Sequence, residues 1–189
     1  MKRILWASLL VLSIILAPPT KTLAGPPSAG GTLPDFTLPS PGTSAERVYL
    51  GLGSGKNLKV TDIKARVVLI EIFSMYCPFC QKDAPIVNKL YEAIEGDPGL
   101  QGKIKLVGIG VGNSAYELEV FRKRYSVPFP LFSDADFTLH KLLGETRTPY
   151  FFAVQINEDG SHRVIYSKAG SFGAVAPFLE SLIKLAGLK

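Results

Sequence analysis

The chain predicts an α/β domain, a mixed central β-sheet with helices on both faces, on three observations. The most apolar run after the N-terminal segment, Val67-Val68-Leu69-Ile70-Glu71-Ile72-Phe73, is continuous and rich in β-branched residues, as a strand buried on both faces must be. Behind it Ile86, Val87, Leu90 and Ile94 recur at helical spacing, and residues 103–111 repeat the pattern of a buried strand. The last third adds two strand-like runs, 150–156 and 163–167, joined by Asn157-Glu158-Asp159-Gly160, which is a hairpin signal.

Taken from the N-terminus, Lys2 and Arg3 precede the apolar run Ile4 to Ala17, and Thr22 and Ala24 stand at −3 and −1 before Gly25. That pattern predicts a secretory signal peptide over 1–24. An uncleaved membrane anchor is the competing reading, but the run is short of the ~20 residues that span a bilayer. Without 1–24 the formal charge falls from +5 to +2, with 18 basic against 16 acidic residues, so the alkaline pI owes much to the leader. Nothing in that balance calls for a nucleic-acid or acidic-surface partner. Residues 25–32 are Gly, Pro and Ser rich and predict a flexible linker, ahead of one domain over 33–189.

Within the domain, Phe36 and Leu38 alternate as edge-strand positions do. Val48-Tyr49-Leu50 and Leu58-Lys59-Val60 flank a glycine-rich stretch and predict an N-terminal β-hairpin extension. The Gly51-Leu52-Gly53-Ser54-Gly55 run opens no helix and has no Lys-Ser/Thr after it, so it does not read as a phosphate cradle. A helix is expected over about 81–95, with Pro85 inside it removing one hydrogen bond. Ser114 with Glu117 forms a capping box for a helix reaching about Tyr125. Residues 129–132 predict a short strand, 137–143 a short helix, and 174–186 a closing amphipathic helix with Pro177 in its first turn.

The chemistry sits in Ser74-Met75-Tyr76-Cys77-Pro78-Phe79-Cys80, which holds the only two cysteines of the chain. They lie where the apolar strand ends and a helix begins. The free N–H groups and positive dipole end of a helix favour a thiolate there. Strand, C-x-x-C, helix is the arrangement of a redox-active dithiol. Cys77, the more exposed, is the expected nucleophile, and Cys80, one turn in, the resolving thiol. A fixed structural disulfide is the bland alternative, yet a domain of this size has a core of its own and gains little from so small a loop. Zinc would want four ligands, and only His140 and His162 could join the thiols. Both are expected as surface or strand residues. Outside the cytosol the pair persists as a disulfide unless a reducing partner keeps it open.

An exported chain with strand–C-x-x-C–helix, Thr148-Pro149 before a strand, and a terminal hairpin plus helix resembles the thioredoxin superfamily. Leu33-Pro34-Asp35-Phe36, the run Val60 to Leu69, and Ala84-Pro85 resemble its TlpA/ResA-like branch. The resemblance covers about residues 33–189. It implies a thioredoxin-like fold and an extracytoplasmic thiol–disulfide oxidoreductase, in several relatives a reductant serving cytochrome c maturation. It further implies that Glu71, six residues before Cys77, is a buried acid behind Cys80 that accepts its proton. The competing role is a carboxylate paired with a lysine or arginine. Asp83 matches an acidic position beside the site in ResA-like proteins; otherwise it is a solvated first-turn acid. Pro149 is implied to be cis and to face the cysteines, with Thr148 offering its backbone to an incoming peptide. Phe79, Phe132, Tyr150 and Phe151 are candidates for an apolar landing surface around the dithiol, with ordinary core packing as the competing role.

Two departures bear on potential and partner. Tyr76 stands where the family usually has tryptophan, and Pro78 follows the first cysteine instead of preceding the second. The reading is a monomeric disulfide reductase with no cofactor beyond the Cys77–Cys80 pair, fed by a membrane thiol electron donor and acting on exported proteins with disulfides. Alternatives are an oxidase or isomerase on the same fold, or a copper-carrying module, for which C-x-x-x-C would be expected. The Pro-x-x-x-Thr/Ser-x-x-Cys pattern of a peroxiredoxin-type peroxidase is absent.

Overall fold

The computed structural model describes residues 25–188 except 54 and 56; the expected signal segment, 1–24, lies outside the described residues. Five strands form one sheet: β1 (Val67–Phe73), β2 (Ile104–Val111), β3 (Leu131–Asp134), β4 (Tyr150–Ile156) and β5 (His162–Ala169). Their order is β3-β2-β1-β4-β5, with β1, β2 and β3 parallel and β4 and β5 antiparallel to their neighbours. The mixed sheet is the expected one. β1 is its central strand and every residue of it is buried, which accounts for a sequence that is apolar at nearly every position.

Alternation along the strands divides the core into two layers. Val67, Leu69 and Phe73 face α2 (Pro78–Glu95), α3 (Ala115–Tyr125) and α5 (Val175–Ala186), packing with Val87, Leu90, Phe121, Phe178 and Leu182. Val68, Ile70 and Ile72 face the opposite way, against the chain's N-terminal portion and Leu139 of α4 (Thr138–Leu142). Two glycines of β2 make room on the α2 side. A Cβ on Gly108 would lie 2.6 Å from Leu131 and 3.0 Å from the Phe73 ring, and one on Gly110 would lie 2.3 Å from Leu118.

From β1 onward the elements lie within three residues of expectation, with β3 at 131–134 in place of 129–132; the N-terminal side differs outright. Val48, Tyr49 and Leu50 are not strand residues. They belong to α1 (Ser44–Leu50), which Thr43 and Glu46 start with a capping box, each backbone N–H bonded to the other's side chain at 3.1 Å. Gly51, at φ +66°, ends the helix in the left-handed region. Of the expected hairpin and edge strand only a single bridge, Leu38 to Leu58, is formed. Reciprocal capping satisfies the first turn's donors and Leu50 is fully buried, so local hydrogen bonding outweighs the β-propensity of Val48 and Tyr49. Residues 25–32 carry no helix or strand, yet Gly30 donates to the Val164 carbonyl and Val164 to that of Gly31, both at 2.8 Å, along the outer edge of β5.

α1 has a second task. β3 is short, pairing with β2 only from Gly108 onward, which leaves the edge of β2 open at Leu106. The Tyr49 hydroxyl fills this gap, accepting from the Leu106 N–H at 2.8 Å. Arg122 of α3 ties α1 down from the other side, pairing with Glu46 at 2.8 Å and donating to the Phe129 carbonyl at 2.9 Å. Tyr49→Phe keeps the ring but strips the partner from a half-buried N–H. Urea unfolding is expected to register a loss of about 1–3 kcal/mol; an unchanged midpoint would mean that the edge of β2 needs no cap.

Candidate active site

β1 ends at Phe73, and the chain turns through Ser74–Tyr76 into α2. Cys77 is the N-cap of α2, with Pro78 at its first helical position and Cys80 in its first turn. Both cysteines are free thiols; Cys77 is partly exposed and Cys80 has no exposed surface. The helix thus begins three residues ahead of the expected 81, because a proline at its first position is pre-set for a helix and has no N–H to lose.

The turn is clamped from three directions. The Asn113 side chain, at the end of β2, accepts from the Met75 N–H at 2.8 Å. Gln81 reaches back from α2 and donates to the Met75 carbonyl at 2.7 Å. Tyr76, though 64 % exposed, gives its hydroxyl hydrogen to Glu117, the same carboxylate that caps α3 through Ser114. Asn113 itself is fully buried, and its Nδ2 has no partner among the described residues.

The two thiols titrate in opposite directions. Burial opposes the Cys77 thiolate, but contact with the Thr148 side chain and the N–H groups of Cys80 and Phe79 outweighs it, leaving Cys77 below the ordinary thiol value. The Cys80 N–H donates to Cys77 Sγ at 3.5 Å, and a protonated Cys77 donates to the Thr148 carbonyl at 3.3 Å. Cys80 is pushed well above the ordinary thiol value, first by burial and then by Cys77 and Glu71 nearby, against a lowering bond from the Ser74 backbone.

Glu71 stands on the face of β1 under α2, opposite Gly108 of β2 and Phe151 of β4. It is 5 % exposed and makes no ion pair among the described residues, so it is not the paired carboxylate of the competing reading. Burial, then the charges of Asp83 and Cys77, lift its pKa to about 8. Asp83 is 6 % exposed, not a solvated first-turn acid. The Thr148–Pro149 peptide is cis and stands directly before β4. Phe79 is 70 % exposed beside the thiols. The site residues singled out in the sequence therefore gather at one end of the sheet.

His140 and His162 do not join them as ligands: His140 bonds the Thr146 carbonyl at 2.8 Å and His162 lies 3.4 Å from that of Leu33. Among the described residues no cluster of three or more His, Cys, Asp or Glu is placed to hold a metal. Asn113 is the clamp residue that the sequence reading passed over. The one available signal was the position of Asn113 just past a parallel strand, where such sheets gather their sites.

Proteins of known kind resemble this chain in sequence and in fold. The chain is 29 % identical over 97 residues to thiol-disulfide oxidoreductase ResA of Bacillus subtilis, a match spanning 51 % of each chain, and so only about half the length of that relative. It is 24 % identical over 150 residues to the ResA of Halalkalibacterium halodurans, covering 79 % of this chain and 81 % of that one. Among solved structures, the thioredoxin domain of a thiol-disulfide oxidoreductase from Bacteroides vulgatus superposes with a TM-score of 0.59 at 12 % identity, over 82 % of this chain and 98 % of that one. The fold is thus thioredoxin-like, and the resemblance to ResA-like proteins holds. Residues 29–165 match the AhpC/TSA family, a stretch that runs from the N-terminal residues on β5 through the thiols to β5 itself, and the chain accordingly belongs to that family.

Proposed function

We propose that this protein is an extracytoplasmic thiol–disulfide oxidoreductase that reduces disulfides of other exported proteins. The observation that carries the reading is the contrast between its two thiols. One is partly exposed at a helix N-terminus with a depressed pKa, and the other is sealed in the core with a raised one beside a buried acid. The basic–apolar–small pattern of residues 1–24 supports export. Similarity to ResA proteins supports the reaction class. Cytochrome c maturation is the client setting that the resemblance implies, and a membrane dithiol is the electron donor. Cys77 lacks the peroxiredoxin-type pattern, which favours disulfide exchange over peroxide chemistry.

In the forward reaction the Cys77 thiolate attacks one sulfur of the client disulfide and the other leaves as a thiolate, giving a mixed disulfide. Cys80 then loses its proton to ionised Glu71 and attacks Cys77 Sγ. The Cys77–Cys80 disulfide forms and the second client sulfur leaves, so two electrons pass to the client. In the return step one thiolate of the donor dithiol attacks Cys77 Sγ, Cys80 departs as a thiolate and takes the proton back from Glu71; the donor's second thiol then displaces Cys77 as a thiolate, and the donor leaves as a disulfide. A pKa of about 8 keeps both forms of Glu71 within reach of neutral pH. Asp83, buried on the next turn of α2, raises that pKa through its charge.

Cys77→Ser is expected to abolish reduction of insulin or of a model peptide disulfide while the fold, followed by far-UV circular dichroism, persists. Activity retained in that variant would remove the mechanism.

Glu71 makes two linked predictions. The resolving step needs the ionised carboxylate, so its rate should climb as pH rises toward about 8 and level off beyond; Glu71→Gln should slow it and flatten the profile. For stability, the native state holds a proton between about 4.5 and about 8 that the unfolded chain has released. Glu71 therefore makes the protein lose stability as pH rises through that window, by up to roughly 1.4 kcal/mol per pH unit. Urea unfolding of Glu71→Gln against the parent should show the variant gaining across that window. A constant difference would contradict the buried acid.

The direction of electron flow is read from the potential of the Cys77–Cys80 pair against thiol buffers. A value near or below about −270 mV is expected for a reductase; one near about −120 mV would make the protein an oxidant.

A further inference from the structure

Cys77 and its neighbour Thr148 stand between two grooves. On one side a groove of 560 Å³ has an apolar floor of Phe79, Ile86 and Pro149. On the other a groove of 410 Å³ runs between Tyr76, Phe137 and Thr146. Arg147 and Thr148 line both, so the two adjoin as one channel at Thr148, whose carbonyl lies 3.3 Å from Cys77 Sγ.

The charge of this channel is one-sided at its rim. Its exposed side chains with a full charge are Lys82 in the first groove and Arg147 in both, while the second groove is also lined by the Tyr76 phenol and the half-buried His140. Neither is held in an ion pair or a side-chain hydrogen bond among the described residues. The carboxylates nearby are otherwise placed. Asp83 lines the first groove but is buried, while Glu117, bonded to Tyr76 and Ser114, and Glu145, two residues before Arg147, line neither groove.

We infer that the channel selects clients by charge: an extended segment whose disulfide is flanked by an apolar residue on one side and by an acidic residue within reach of Arg147. This rests on the reductase reading above and narrows its substrate class. The apolar residue buries against Phe79, Ile86 and Pro149, while main-chain pairing at Thr148 is indifferent to sequence. The acidic side chain meets Arg147, with Lys82 adding to the positive field, neither paired among the described residues, which gives discrimination against basic clients and faster encounter more than raw affinity.

The test uses the reduced protein and two peptides alike in disulfide and apolar flank, differing only in glutamate or lysine at the other flank. The second-order rate of thiol loss is measured for each. Neutral bis(2-hydroxyethyl) disulfide serves as a third oxidant. The glutamate peptide is expected to react roughly fivefold faster at low ionic strength, an advantage that shrinks in about 0.5 M salt. In Arg147→Gln the ratio should fall, and in Lys82→Gln/Arg147→Gln it should approach one. Equal rates for the two peptides, or a ratio that survives the double variant, would overturn the inference. Failure of the wild-type dithiol to react even with the neutral disulfide would instead overturn the reductase reading itself.

Discussion

The complete burial of β1 is the constraint on which the rest depends. The strand is hydrogen-bonded along both edges, parallel to β2 and antiparallel to β4, and covered on both faces. Its position has no freedom left. Where it ends, the chain must emerge between the end of β2 and the start of β4, and α2 must begin there. The thiols are therefore delivered to a point that Asn113 approaches from β2 and the cis Thr148–Pro149 peptide from β4. A loop alone, with exposed backbone and few contacts, would not hold that geometry.

The same burial produces the asymmetry between two chemically identical side chains. Cys77 and Cys80 are one helical turn apart, but the first meets N–H groups and the second meets the core and a neighbouring acid. Desolvation is a cost for any charge left without a partner. Cys80 and Glu71 share this condition, and burial is the first cause of the raised pKa of each. Gly108, opposite Glu71 in β2, leaves the space that the Phe73 ring occupies at the lower end of the site.

Two polar links on the surface extend the clamp beyond the turn. Tyr76 joins the site to the N-terminus of α3 through Glu117, and Arg122 near the other end of α3 joins that helix to α1. The helices beside the sheet thus brace the turn that carries the thiols. The price of this bracing is borne at Asn113, where one amide donor is buried without a partner while the other side-chain atom fixes the Met75 N–H.

Much was legible in the chain because it is written in local chemistry. The period of apolar residues predicts β1, β2, the β4–β5 hairpin and the helices; Ser114 with Glu117 marks the start of α3; the two cysteines mark the site. The structure of α1 was legible too, in the capping box of Thr43 and Glu46, but Val48 and Tyr49 carry strand propensity and drew the reading to a hairpin. Propensity is a weak prior, and a capped turn with a buried Leu50 overrides it. What only the tertiary structure decided are relations between distant segments. They include the burial of Asp83, the grip of Asn113 on Met75 across 38 residues, and the pairing of Arg147 with two grooves at once. Sequence determines which groups a residue can offer. Which of them meet, and whether water stands between them, depends on how sheet and helices pack, and no local pattern records that.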